Sequence, residues 1–121
     1  MATITHSVTA EHTALAVGSG DLEVLGTPVL VAWLEEATCA ELALEGEETS
    51  VGTRVQVEHL VASAVGATIT ATADVTSRDG RLVIFRVAAT DGRGTLVASG
   101  EIRRVVVDRT RFLDRVPPVG D

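Results

Sequence analysis

The chain of 121 residues contains no lysine, asparagine or tyrosine, and it has one cysteine, one tryptophan and two phenylalanines. Without lysine, both Schiff-base chemistry and a Walker-type phosphate loop are excluded. The single cysteine, Cys39, excludes an internal disulfide and predicts a reducing, cytoplasmic location. Its small apolar neighbours predict that Cys39 is a core residue rather than a nucleophile.

Acidic charge dominates the composition, with a formal net charge of −7. This balance argues against a nucleic-acid partner. No apolar run approaches the roughly 20 residues of a membrane span, and the N-terminus lacks the pattern of a signal peptide. We therefore expect one folded domain over residues 1–121, with a frayed tail from about residue 116 and no membrane partner.

All ten basic residues are arginine, and half of them fall within the last 19 residues: Arg103, Arg104, Arg109, Arg111 and Arg115. Guanidinium groups bind phosphates through two parallel hydrogen bonds, so this cluster suits a polyanionic ligand such as a coenzyme. A solvated surface strip is the alternative. The absence of lysine beside abundant alanine, valine and arginine is typical of a GC-rich bacterial genome.

The order of the elements predicts the fold class. Alternation in the first ten residues indicates a strand, a glycine-rich loop follows, and a helix runs from Thr27 to about Leu44. The loop does not fit a dinucleotide fingerprint, since the third glycine position holds Glu23. Apolar residues over 29–34 predict a helix buried on every side. The remaining chain predicts four strands, near 50–61, 66–77, 81–90 and 95–107.

One strand, one long helix and four antiparallel strands predict an α+β architecture in which a curved sheet wraps the helix. This is the layout of the hot-dog fold. Such a sheet leaves exposed edges, which a second copy of the chain can cover, so we expect a homodimer.

Two ionisable residues lie on apolar faces of this expected fold. Glu35 follows almost wholly apolar residues in the helix, and its helical neighbours cannot neutralise it. His59 shares one face of the next strand with Val51, Val55 and Val57, because all four occupy odd-numbered positions of an alternating pattern. Buried ionisable groups need a partner or a shifted pKa, and both conditions suit catalysis. A glutamate reaching solvent at a groove edge and a core histidine are the structural alternatives.

Thr27 stands at the start of the helix, with Pro28 in the favoured first helical position. Ordinary capping explains a threonine here. The same position offers free N–H groups and a positive dipole end, which suit a developing oxyanion. A hydroxyl, a carboxylate and an imidazole that converge on one apolar groove would form an acyl-transfer site. A metal site is disfavoured, because no two histidines have ligand spacing.

A specific resemblance rests on three segments: TPVLVAWLEEA, SVGTRVQVEH and SGEIRRVVVD. Together they resemble the fluoroacetyl-CoA thioesterase-like group of hot-dog proteins, from about Thr5 to Arg115. The resemblance implies a catalytic set of Thr27, Glu35 and His59. It also implies that the substrate contacts Gly52, in the SxGT turn, and Arg104, whose parity on the last strand points it inward.

The resemblance also shows a departure before the helix. The fluoroacetyl-CoA enzyme carries phenylalanines there that form a lid over the acyl group. The corresponding stretch here, AVGSGDLEVLGTP, is shorter and has no aromatic residue. We therefore do not expect fluoroacetyl-CoA as the substrate.

These observations predict a homodimeric acyl-CoA thioesterase that needs no cofactor, because coenzyme A is part of the substrate. Glu35 would be the nucleophile or the base for water, His59 would move the proton, and Thr27 would orient the carbonyl or Glu35. Two alternatives are a non-catalytic acyl-CoA-binding module and an enoyl-CoA hydratase. The hydratase is disfavoured, because the chain lacks the Asp–His pair expected at the helix start.

Overall fold

The computed structural model describes residues 1–120. Its five strands are β1 (Ala2–Ser7), β2 (Glu48–His59), β3 (Thr68–Asp79), β4 (Leu82–Asp91) and β5 (Leu96–Asp108). Its α-helices are α1 (Ala14–Val17), α2 (Thr27–Leu42) and α3 (Arg109–Asp114), and a 3-10 turn covers Ala10–His12. The predicted tail begins after α3; residues 116–120 are exposed and irregular, and Asp121 lies outside the described residues.

The strands form one antiparallel sheet in the order β1-β3-β4-β5-β2. Helix α2 packs on one face of this sheet, against β1, β2, β3 and β4. The buried helix residues recur at helical spacing: Leu30, Trp33, Leu34, Ala37 and Thr38. They meet Ile69, Phe85 and Ile102 of the sheet in the core. The predicted α+β hot-dog layout is therefore confirmed.

Helix α2 is exposed along one side, contrary to the prediction of a helix buried all round. Ala32 and Cys39 are both exposed, because the sheet curves around only the opposite side. The prediction that Cys39 is a core residue is therefore wrong. The helix also ends at Leu42 rather than Leu44, since Ala43 adopts a left-handed conformation with φ 49°.

The alternation predicted for β2 is wrong at Val51, the first of the four residues assigned to one face. Gly52 lies opposite Arg104, but Arg54 lies opposite Arg103, so Thr53 is an extra residue in a β-bulge. A single extra residue reverses the facing of everything before it. Val51 therefore leaves the face that carries His59.

The inner face of β2 is identified by its partners on β5. Ser50, Gly52 and Val55 lie opposite Val106, Arg104 and Ile102, all of which are buried. Val57 and His59 continue the same face. Thus the bulge brings Ser50 and Gly52 inward, to the side of the sheet that holds α2.

A similar irregularity affects β3. Ile69, Ala71 and Ala73 are buried, whereas Val75 is 42% exposed. A register shift follows directly after Val75, which ends the regular inward alternation.

No helix within residues 1–120 is long and apolar enough to cross a membrane.

Candidate active site

The first side-chain pair of the candidate site joins the start of α2 to the end of β2. Thr27 Oγ1 lies 2.8 Å from Nδ1 of His59. Gly26 occupies the N-cap position and Thr27 is the first helical residue, so its hydroxyl does not cap the helix. The capping interpretation of Thr27 is therefore wrong, and the hydroxyl is free to hold the imidazole in place.

Burial determines the protonation of His59. Loss of water contact lowers the pKa of His59 below its ordinary value of 6.5, and the backbone of Val61 partly offsets this by favouring the charged ring. Nε2 is buried and lacks a hydrogen-bond partner of good geometry within residues 1–120. At neutral pH His59 is consequently uncharged and able to accept a proton.

The second pair joins the middle of α2 to β5. Oε2 of Glu35 lies 3.5 Å from Nη1 of Arg104, whose side chain is almost completely buried. Arg104 is 7% exposed, in agreement with its parity on the last strand. Arg104 is thus the charged partner that the sequence analysis predicted for Glu35. The Glu35 side chain is about one-third exposed, so its carboxylate also reaches the groove.

Gly52 makes room for this pair. A Cβ atom added to Gly52 would stand 2.9 Å from Oε2 of Glu35 and 3.4 Å from Nη1 of Arg104. The first distance is shorter than real Cβ contacts, so any side chain at this position would displace the carboxylate. The glycine of the SxGT turn is therefore required by the close approach of Glu35 to the strand.

The two pairs do not form one cluster within a protomer. Thr27 and Glu35 are eight residues apart on a helix, or about 12 Å along its axis. No hydrogen bond or ion pair among the described residues links Thr27 or His59 to Glu35. The structure thus places the three predicted catalytic residues on one side of the sheet, in two separate pairs, Thr27–His59 and Glu35–Arg104.

A shallow cavity of about 270 Å³ opens beside the first pair. Thr27 and His59 form its polar part, and the rest is aliphatic: Val24, Leu25, Leu60, Val61 and Ala62. A larger cavity of about 650 Å³ contains none of the predicted site residues. The smaller cavity is therefore the one that contains two of the predicted catalytic residues.

Sequence reasoning missed Ser50. Its hydroxyl oxygen accepts a 2.8 Å hydrogen bond from Nε of Arg104, and its carbonyl oxygen accepts one of 3.2 Å from Nη2. Simple alternation places residue 50 on the outer face of β2, and only the bulge turns it inward. Ser50 is the serine of the SxGT segment, and that segment was the one available signal.

The arginine-rich end of the chain is not a single cluster. Arg104 points inward to Glu35, while Arg103, its neighbour, pairs with Glu101 at 3.4 Å. Arg111 and Arg115 line another cavity of about 200 Å³ with Arg81. Alternation along β5 separates Arg104 from Arg103, and both lie apart from the cavity lined by Arg111 and Arg115.

Comparison with known proteins identifies the family of the chain. The model of the FlK family, described as fluoroacetyl-CoA-specific thioesterase, matches residues 8–110. The fluoroacetyl-CoA thioesterase of Streptantibioticus cattleyicolor is 36% identical over 96 residues, which cover 78% of this chain and 68% of that protein.

The chain belongs to the FlK thioesterase family. The crystal structure of a point mutant of the fluoroacetyl-CoA-specific thioesterase FlK superposes with a TM-score of 0.87 at 31% identity, covering 95% of this chain and 90% of that one. A thioesterase superfamily member from Thermus thermophilus gives 0.86 at 25% identity, covering 93% and 85%. The predictions of family, fold and thioester-hydrolase class are therefore confirmed.

Proposed function

We propose that the protein hydrolyses an acyl-CoA thioester to a carboxylic acid and free coenzyme A. The observation that carries the proposal is the carboxylate of Glu35, held between Arg104 and the bare backbone of Gly52. Glu35 is partly exposed, so a substrate can reach it. Membership of a thioesterase family and the uncharged His59 support the same reaction.

In this proposal Glu35 attacks the thioester carbonyl, or removes a proton from the water that does. On the nucleophile route, the carbon–oxygen bond of an anhydride with Glu35 forms as the carbon–sulfur bond breaks, and water then cleaves the anhydride to release the acid and restore the carboxylate. On the base route, the oxygen of water forms the new bond to the carbonyl carbon as the carbon–sulfur bond breaks. In both routes the departing sulfur takes a proton that comes from water and is relayed by His59. Thr27 orients His59 through the 2.8 Å hydrogen bond. The missing side chain at Gly52 allows the thioester to approach the strand.

The active site is proposed to be completed by a second copy of the chain. Strand β2 is the edge of the sheet, is 12 residues long, and carries both Gly52 and His59. If two β2 strands pair antiparallel about a two-fold axis at Gln56, and Thr53 is the extra residue of the bulge, Gly52 lies beside His59 of the partner subunit. Each Glu35 then faces the Thr–His pair of the other protomer.

The cavity beside Thr27 and His59 is proposed to receive the acyl group. Its remaining lining is aliphatic, and α1 with its following loop supplies no aromatic side chain. Arg111 and Arg115 are proposed to contact the phosphates of coenzyme A, since their guanidinium groups form no ion pair among the described residues. A reducing, cytoplasmic location fits one free cysteine.

The proposal is tested by thiol release from short, branched and aromatic acyl-CoAs. Glu35→Gln keeps the shape of the side chain but removes its charge and basicity, so we expect turnover to fall roughly 10²- to 10⁴-fold. Glu36→Gln is the matched control, because Glu36 bonds His6 on the far side of the helix. This control should retain normal turnover.

Near-normal turnover by the Glu35→Gln variant would refute the role of Glu35. If no substrate is hydrolysed but acyl-CoA still raises the melting temperature, the protein is an acyl-CoA-binding module instead. Hydration of an enoyl-CoA without thiol release would favour the hydratase.

A further inference from the structure

The side chain of Arg104 is fixed by more than its carboxylate partner. Its Nε donates to the hydroxyl oxygen of Ser50 at 2.8 Å, and its Nη2 donates to the carbonyl oxygen of Ser50 at 3.2 Å. Nη1, the third nitrogen, faces Glu35 at 3.5 Å. Each nitrogen of the guanidinium group therefore has one defined neighbour.

Without Ser50, the ion pair alone would hold the guanidinium loosely. A separation of 3.5 Å is longer than a charge-assisted hydrogen bond, which measures about 2.7–2.9 Å. The shortest contact of Arg104 is the one to the Ser50 hydroxyl. The serine, rather than the glutamate, thus sets the plane and reach of the guanidinium.

The burial of Arg104 makes the restraint by Ser50 important. Arg104 is 7% exposed, so water cannot replace a lost partner at Nε without rearrangement. A buried donor that loses its partner is costly, and the side chain would move to satisfy it. Because Gly52 leaves Glu35 in contact range of the strand, any movement of Nη1 moves the carboxylate as well.

We propose that Ser50 is a positioning residue for the hydrolysis, acting through Arg104 to fix the carboxylate of Glu35 against Gly52. The inference rests on the proposed function and adds a residue that touches neither the substrate nor Glu35. The bulge at Thr53 is necessary for this role, since it turns Ser50 onto the inner face of β2.

Two substitutions at residue 50 test the proposal. Ser50→Ala removes the acceptor for Nε, and we expect kcat to fall roughly 10- to 100-fold, as for misplacement of a reacting group by about 1 Å. KM should change little, because Ser50 does not line the cavity beside Thr27 and His59 that is proposed to receive the acyl group. Ser50→Thr keeps the hydroxyl and should restore most of kcat, which a purely structural defect would not predict.

Ser99→Ala is the matched control, because Ser99 lies on β5 and its side chain makes no hydrogen bond within residues 1–120. It should leave kcat and KM unchanged. Equal kcat for wild type, Ser50→Ala and Ser50→Thr would overturn the proposal, and so would a loss that Thr fails to restore.

A measurement that needs no turnover separates this inference from the proposed function. In 15N NMR, the Nε–H proton of Arg104 should exchange slowly in wild type and in Ser50→Thr, and rapidly in Ser50→Ala. If wild type hydrolyses no thioester, the proposed function fails while this exchange pattern still reports on the restraint. If exchange is identical in all three proteins, the positioning role is wrong even when the enzyme is active.

Discussion

At the scale of single residues, the candidate site depends on two contacts that the sequence could not specify. Thr27 bonds His59 instead of capping α2, because Gly26 takes the cap position. Glu35 finds its partner across the fold in Arg104. The residue types were predictable from an apolar helix with one carboxylate and an apolar strand with one histidine. Their pairing was not, because it depends on which strand ends beside which turn of the helix.

The protonation of His59 gives a prediction at this scale. Its pKa in the folded protein lies below 6.5, so the folded state binds fewer protons than the unfolded state as pH falls past 6.5. The contribution of His59 to stability is therefore complete above pH 6.5 and is lost as pH falls through the lowered pKa. A His59→Gln variant, which does not titrate, should show a smaller fall in melting temperature between pH 7.5 and pH 5.

The same shift places the acidic limb of kcat/KM below pH 6.5 in wild type. His6→Gln is the control for the melting-temperature measurement, since His6 stacks on Trp33 away from the site. An equal fall in melting temperature between pH 7.5 and pH 5 for wild type and His59→Gln would contradict the lowered pKa of His59.

At the scale of secondary structure, β2 and β5 determine the geometry of the site. The bulge at Thr53 chooses which residues of β2 face inward. Gly100 on β5 has a separate part, because an added Cβ would collide with the carbonyl oxygen of Gln56 and stand 2.8 Å from Cα of Val57. Both collisions are with backbone, so no side-chain rearrangement can relieve them.

Gly100→Ala should therefore push β2 away from β5. We expect a loss of about 1–3 kcal/mol in unfolding free energy, measured by urea denaturation, as for other overpacked sites. Turnover should also fall, because His59 and Gly52 lie on the displaced strand. Gly92→Ala is the matched control, since an added Cβ there meets no atom within 4 Å. A Gly100→Ala variant as stable as the control would contradict this prediction, because it would show that β2 and β5 can separate at little cost in free energy.

At the scale of the whole molecule, the protomer presents two separated side-chain pairs and an open sheet edge. Strand β2 has one partner, β5, and its other side is unpaired. Val55 is 41% exposed near the middle of this edge. A long unpaired edge with an exposed apolar residue is a ready surface for pairing with a second copy.

Val55→Glu should break the proposed dimer, because two carboxylates would be brought close at the two-fold axis. Analytical ultracentrifugation should give about twice 12.6 kDa for wild type and 12.6 kDa for the variant, with loss of turnover. Val75→Glu is the matched control, because Val75 is equally exposed at 42% but lies on β3. An active wild-type monomer would refute a site shared between protomers.

The sequence by itself determined the element order, the antiparallel hairpins and the chemistry of the site. These follow from local periodicity, turn residues and the rarity of ionisable groups among apolar ones. Family resemblance added Gly52 and Arg104. Both lie on the inner faces of their strands, opposite each other.

Only the tertiary structure decided the facing of Ser50, the exposure of Cys39 and the separation of the Thr–His pair from Glu35. A β-bulge changes facing without an obvious sequence signal, and exposure of a helix depends on how far the sheet curves around it. Distances between side chains on different elements arise from packing, which local patterns do not encode.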